Sequence, residues 1–274
     1  MGILSSLFGC KPENKQDNNK TASKEVIPNH EENWDFYFSN VDDVLGSINL
    51  DLGLKEIAPI KSKNNVAWVS VLMQKPKENG LSSNEESSKL FEIEDSIVNT
   101  ISNSIFVGRL TSANARDFYF YIKDTINFEI EVKKAMANFS SYQFQLGTKP
   151  DPEWDGYLNF LYPLPQQMQC IQNRQVIENL EKNGDSLTKE REVTHWSYFP
   201  TNKDLTNFKD SVSTKGFKII ESKKDNSQEL THCLIYSKSA NINYQNIDDI
   251  IIPIWKLSKE CNGDYDGWET SVEK

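Results

Sequence analysis

The sequence predicts an α+β protein of two tandem ferredoxin-like sandwiches, each an antiparallel sheet with two helices on one face. Three observations support this. Strand-like and helix-like hydrophobic periods follow the order β-α-β-β-α-β in each half. A proline-rich join, with Pro150, Pro152, Pro163 and Pro165, interrupts them once. The 274 residues, 37% hydrophobic and 11% aromatic, suffice for two cores of ordinary size. The expected organisation is a tail over 1–32, a first domain over 33–165 and a second over 166–274.

The first domain opens with extra strands at Trp34–Phe38 and near Ile48–Leu52. Val66–Met73 is almost wholly apolar, which suits a strand buried on both faces. Asn84-Glu85-Glu86 starts a helix in which Leu90, Ile93, Ile97 and Ile101 recur at helical spacing. Ile105–Leu110 reads as a strand, and Ser112-Ala113-Asn114 as a turn. In Asp117–Ile122, Phe118, Phe120 and Ile122 alternate with Tyr119 and Tyr121. Thr125 is the expected cap of a helix carrying Phe128, Val132, Ala135 and Phe139, with Glu129 and Glu131 near its positive end. Tyr142, Phe144 and Leu146 mark the last strand.

The second domain begins with an extra helix from about Gln169 to Asn183, closed by Gly184. Glu190–Phe199 alternates as a strand. Thr201 and Asp204 resemble a capping box for a helix carrying Leu205, Phe208 and Val212, which Gly216 ends. Phe217–Glu221 and Leu230–Ser237 form a hairpin. Ile247, Ile250, Ile251, Ile254 and Leu257 define a long helix, with a kink expected near Asp249–Pro253 because proline removes a backbone donor. A segment containing Trp268 supplies the final strand.

The formal net charge is −10. Residues 31–165 hold 12 Lys/Arg against 20 Asp/Glu, and residues 166–274 hold 14 against 17. An acidic surface repels nucleic acid phosphates and steers basic partners inward. Cys10, Cys170, Cys233 and Cys261 form no C-x-x-C pair, which argues for reduced thiols and a cytoplasmic compartment. No apolar run reaches the roughly 18 residues of a membrane span. Met1–Cys10 is briefly apolar and then turns polar. It reads as a short amphipathic or frayed tail, with a lipoprotein anchored at Cys10 or acylation at Gly2 as alternatives. Residues 11–30 show no periodicity and are expected to be disordered.

Several motifs remain. They are Asn173-Arg174-Gln175-Val176, Leu180 through Asp185, Arg191 through Trp196, Tyr198-Phe199-Pro200, Gly216-Phe217, and Gly263 through Glu269. With these motifs the second half resembles the family of regulators of ribonuclease E activity, type B. The first half carries Gly108-Arg109-Leu110-Thr111, Arg116 through Tyr121, and Trp154 through Tyr157. On these it resembles domain-of-unknown-function family 695. The regulator resemblance implies a ferredoxin-like fold. It also implies a cytoplasmic protein that binds the basic, non-catalytic scaffold of an RNA-degrading enzyme and lowers its cleavage activity.

The residues themselves offer no catalytic set. No G-x-S-x-G elbow frames a serine, no G-x-G-x-x-G cradles phosphate, and no ligand spacing favours a metal over structural histidines at His195 and His232. No cofactor is expected. Tyr119 and Tyr121 are placed like an RNA-stacking pair, but the basic patch such modules need is missing, so no direct nucleic acid binding is expected. The partner-binding candidates are Trp196 and Tyr198, on the strand face opposite His195, and the acidic-aromatic cluster Asp264, Tyr265, Asp266, Trp268 and Glu269. Such a cluster can meet an Arg-rich segment by charge and cation–π contacts. A tight Gly-Asp-Tyr-Asp-Gly turn and packing under a helix are the structural alternatives for these residues. The expected function is non-catalytic binding and inhibition of a ribonuclease E-like enzyme. An interaction, immunity or stress module with its partner set by the first domain remains an alternative, as does an enzyme with a site between the domains.

Overall fold

The computed structural model describes residues 28–226 and 229–274. The expectations for Met1–Cys10, including lipidation of Cys10, lie outside the described residues. The elements run β1 Trp34–Val41, β2 Val44–Asp51, β3 Asn65–Leu72, α1 Asn84–Thr100, β4 Ser104–Ser112, β5 Ala115–Ile122, α2 Phe128–Met136 and β6 Phe144–Pro150. They continue α3 Pro165–Lys182, β7 Glu190–Phe199, α4 Asn202–Thr214, β8 Lys218–Lys224, β9 His232–Asn241, α5 Ile247–Glu260 and β10 Asp264–Thr270.

The first sheet has the order β1-β2-β4-β5-β3-β6 and the second β10-β7-β9-β8, with every pairing antiparallel. The second sheet and the β4-β5-β3-β6 part of the first share one ferredoxin-like order. Strands β1 and β2 widen the first sheet at its β4 edge. Their hairpin turns at Asp42 and Asp43, both left-handed at φ 49° and 64°. This is the geometry a two-residue turn needs to match strand twist, and Asp tolerates it.

Alternation in β3 and β5 places Ala67, Val69, Phe118 and Phe120 under α1 and α2. The other face of this sheet is covered by a segment that the sequence marks only as a join. Trp154 is fully buried, stacks on Tyr121 at 3.9 Å, and donates its indole N–H to Lys63 O at 2.8 Å. Tyr157 donates to Asp51 O at 2.7 Å, and Tyr37 to Leu161 O at 2.8 Å. The prolines therefore flank a sealing element that opens into a π-helical turn over Gly156–Leu161.

Three expectations need correction. Strand β3 is not buried on both faces along its length: Leu72 is 47% exposed, because the seal covers only part of the sheet. Thr125 does not cap α2; the N-cap is Asn127, with no side-chain bond. Phe139 follows α2 in a separate 3-10 turn. By contrast, Thr201 caps α4 by accepting from Asp204 N, and α4 buries Leu205, Phe208 and Val212. Helix α5 continues through Pro253, which lies on its exposed side, where a missing donor costs least.

Helix α3 joins the two layers. Ile171 packs in the core behind the first sheet, whereas Ile177 and Leu180 pack in the second domain's core. Arg174 forms an ion pair with Asp35, donates to Phe36 O at 2.6 Å, and lies 3.9 Å above the Phe36 ring. Pro165 opens the helix at a position where its missing N–H is harmless. Gly184, at φ 89°, closes it as Asp185 N reaches back to Leu180 O.

Candidate functional site

Strand β7 sorts its residues by parity. Arg191, Val193, His195, Ser197 and Phe199 are buried, while Glu190 and Glu192 are exposed and Thr194, Trp196 and Tyr198 half-buried. Helices α3, α4 and α5 all pack with the inward set. Among the described residues the outward face of this sheet carries no helix.

On that outward face Trp196 lies opposite Ile235, and Tyr198 opposite Cys233. Burial pushes the Tyr198 hydroxyl up to about 12, with the neighbouring Cys233 thiol adding to the shift. From β10, Asp264 stands opposite Tyr198 and Glu269 opposite Thr194. Lys259 pairs with Asp264 at 2.5 Å. Glu192 accepts from Ser237 Oγ at 2.5 Å and Glu190 from Ser239 Oγ at 2.8 Å. The result is an aromatic centre bordered by carboxylates on its β7 and β10 side, while on the β8 side Lys218 and Lys223 stand opposite Ser237 and Cys233. Glu190 and Glu192 were not singled out from the sequence, although the alternation of β7 places them on the same face as Trp196.

The terminal cluster divides. Asp264, Asp266 and Glu269 are exposed, but Tyr265 and Trp268 are 5% and 8% exposed and belong to the core. The segment is a strand, not a tight turn. A register shift between Tyr265 and Gly267 leaves Asp266 unpaired, with Gly267 at φ 142°, where a side chain is disfavoured. Trp268 Nε1 donates to Asn173 Oδ1 at 3.1 Å. Gly263 is required by close packing, since a Cβ there would lie 2.3 Å from the Phe199 ring.

His195 is 1% exposed, stacks on Tyr236 at 5.3 Å, and shares a 2.9 Å hydrogen bond between Nδ1 and Tyr265 Oη. Burial depresses its pKa to about 3, so the ring is neutral. His232 pairs with Phe199, while His195 pairs with Tyr236 four residues along β9. That separation is about 13 Å at the usual strand rise, so the two imidazoles do not converge. Tyr121 lies under Trp154 and Tyr119 is half-buried, so the tyrosine pair is not an open stacking platform.

Other motif residues are structural. Arg191 and Asp185 form an ion pair with side chains 1% and 0% exposed. Asp185 also accepts from Leu187 N and Glu273 N, both at 2.8 Å, and Arg191 donates to Ser271 O. This pair ties the end of the chain to the α3–β7 loop and holds the Asp185 carboxyl down at about 2. No helix of the described residues is long and apolar enough to cross a membrane.

Comparison with known proteins agrees with both resemblances. Residues 170–270 match the family model described as regulator of ribonuclease activity B, and residues 32–162 match a family of unknown function numbered 695. The first match is to a family of regulators and not to a catalytic family. No curated protein matches the chain. Among solved structures, an unknown protein from Galdieria sulphuraria is 10% identical, with 76% of this chain and 99% of that chain covered and a TM-score of 0.21. A protein provisionally described as a glycine cleavage system transcriptional repressor is 7% identical, with 77% and 98% covered and a TM-score of 0.19. At these values the likeness says nothing about function.

Proposed function

We propose that the protein is a non-catalytic regulator that binds a ribonuclease E-like endoribonuclease and lowers its activity. The reading is supported by the match of residues 170–270 to a family of ribonuclease regulators. The observation that carries it to a surface is the helix-free face of the second sheet, where Trp196 and Tyr198 lie among Glu190, Glu192, Asp264, Asp266 and Glu269. A basic, Arg-containing scaffold segment fits that chemistry. Guanidinium groups can stack on the two rings while the surrounding carboxylates neutralise their charge. Occupancy of the segment, with no bond made or broken, is the mode of inhibition. We assign the surface to the unit 166–274, with 33–165 as a second unit, and place the protein in the cytoplasm with its partner.

The test is a cleavage assay with purified ribonuclease E-like enzyme and an RNA substrate. Wild-type protein should slow cleavage, and the effect should weaken as salt rises from about 50 to 300 mM. The Trp196→Ala/Tyr198→Ala and Asp264→Lys/Asp266→Lys/Glu269→Lys variants should lose most of it. Equal inhibition by all three proteins would remove the surface from the reading. No inhibition by the wild type would remove the inhibitory reading itself.

A further inference from the structure

The first sheet is wider than its helical cover. Helices α1 and α2 serve a four-stranded unit, and β1 and β2 extend the sheet beyond them. The step between α1 and the added strands forms a groove of about 510 Å³. Its floor is the helix-side face of β1, β2 and β4, and its wall includes Ser87 and Phe91 of α1. Three cationic residues line it, Lys77, Arg109 and Arg116, and no acidic residue does. That is unexpected in the more acidic half of an acidic chain.

Arg116 is the informative member. It is 5% exposed. Its Nε donates to Thr111 Oγ1 at 2.9 Å and Nη2 to Ser82 Oγ at 3.2 Å, while Nη1 is buried without a partner. Among the described residues it makes no ion pair. Of the nearby carboxylates, Glu94 keeps one buried oxygen, Oε2, without a partner, and both Glu94 and Glu86 act on Arg116 through their charge. Glu94 binds Arg109 Nη1 at 2.6 Å, and Glu86 accepts from Gln74 N and Lys75 N at 2.6 and 2.8 Å. Both guanidiniums lie over the Phe91 ring, at 5.0 and 5.3 Å. A buried guanidinium N–H without a partner, as at Arg116 Nη1, is costly unless a ligand completes its bonding. Burial and the adjacent Arg109 pull the Arg116 pKa down to about 10, against the opposing charges of Glu94 and Glu86. Ser83 caps α1 beside the groove, so the positive end of a 17-residue helix adds to the field.

We infer that this groove binds the phosphate group of a small phosphomonoester, with the Arg116 guanidinium, which lines it, as the anchor. Arg109 and Lys77 supply the surrounding charge, and the Ser82, Ser87 and Thr111 hydroxyls line the same space. A phosphomonoester carries about 1.5 to 2 negative charges and three strong acceptor oxygens, which suits several cations and hydroxyls better than a single carboxylate does. The organic part of the ligand meets aromatic surface, since Phe38 and Phe91 line the groove and are 54% and 44% exposed. Arg109, Thr111 and Arg116 all belong to the first-half motifs that the ribonuclease reading leaves unused.

The experiment is calorimetric titration of the full chain with phenyl phosphate, inorganic phosphate and phenylacetate, alongside phosphorus NMR line widths. Phenyl phosphate should bind with a Kd below about 1 mM, more tightly than inorganic phosphate, and phenylacetate should bind at least about tenfold more weakly. Arg116→Gln should weaken phenyl phosphate binding about tenfold or more. Because Arg116 is buried, Lys77→Ala serves as the second variant: it should weaken binding a few-fold at unchanged Tm. Absence of heat and of line broadening up to about 10 mM phenyl phosphate would overturn the site. Phenylacetate binding as tightly as phenyl phosphate would overturn the phosphate assignment. Unchanged affinity in both variants would move binding elsewhere.

Discussion

The indole N–H of Trp268, on the last strand, donates to the Asn173 side-chain oxygen of α3 at 3.1 Å, across 95 residues of sequence. The same oxygen accepts from Gln169 Nε2 at 3.1 Å, and Asn173 Nδ2 donates to Asp248 Oδ1 at 2.8 Å. One fully buried amide thus ties α3, α5 and β10 together. Removing either end should therefore be expensive.

Trp268→Ala should destabilise the protein by about 3–5 kcal/mol through the cavity it leaves. Asn173→Ala should cost about 2–3 kcal/mol, because the buried Gln169 and Trp268 and the half-buried Asp248 lose their bonds. Urea unfolding of the singles and the double should return a coupling of about 1 kcal/mol. Strict additivity would mean the hydrogen bond contributes nothing.

Arg191→Met strands the Asp185 carboxylate beneath the surface and should cost about 3–5 kcal/mol. Asp185 has a folded pKa near 2, against an ordinary 3.8, because Arg191 hydrogen-bonds its charged form. Its contribution is thus complete above about pH 4 and is lost as pH falls towards 2. Urea midpoints from pH 5 to 2 should fall more steeply for the wild type than for Asp185→Asn.

His195 acts at higher pH. Its folded pKa of about 3 lies below the ordinary 6.5 because burial disfavours the imidazolium. The unfolded chain therefore binds the extra proton first, and stability present above pH 6.5 declines as pH drops towards 3. Between pH 6.5 and 5 the loss should approach roughly 1–2 kcal/mol. A His195→Phe variant should lack that component of the slope; matching profiles would show that the ring titrates normally.

Asp266 sits in the β10 bulge with its side chain in solvent. Asp266→Lys should leave Tm within about 2 °C, as expected for a surface change of this kind. If the second sheet meets a basic partner, the variant should associate several-fold more slowly and show a shallower salt dependence in stopped-flow mixing. An unchanged association rate would place the partner elsewhere.

Much of the second domain was readable from its periods. Strand β7 occupies the predicted Glu190–Phe199, and α4 has its predicted cap and buried face. The division of the terminal cluster was not readable from alternation. Tyr265 and Trp268 are three residues apart, an odd spacing that puts them on opposite faces of a regular strand. The bulge at Asp266 resets the parity and turns both inward. Gly267 inside a strand pattern was the available clue. The seal over the first sheet was hidden differently. Prolines at 150, 152, 163 and 165 look like a linker, yet Trp154, Tyr157 and Leu161 between them form a fully buried apolar face. The Arg116 groove depends on pairing β2 with β4, a contact between residues about 60 positions apart that no local pattern encodes.

Helix α3 has a consequence for how the molecule comes apart. Ile171 belongs to one core and Ile177 and Leu180 to the other, so the two layers share a single element. Neither can melt without stripping apolar surface from its neighbour, and Arg174 adds a direct clasp to Asp35 and Phe36. Heating should give one calorimetric peak whose van't Hoff and measured enthalpies agree. Arg174→Ala should begin to split that peak. What looks in sequence like two modules on a string should therefore unfold, through three isoleucine and leucine side chains and one guanidinium, as a single cooperative body.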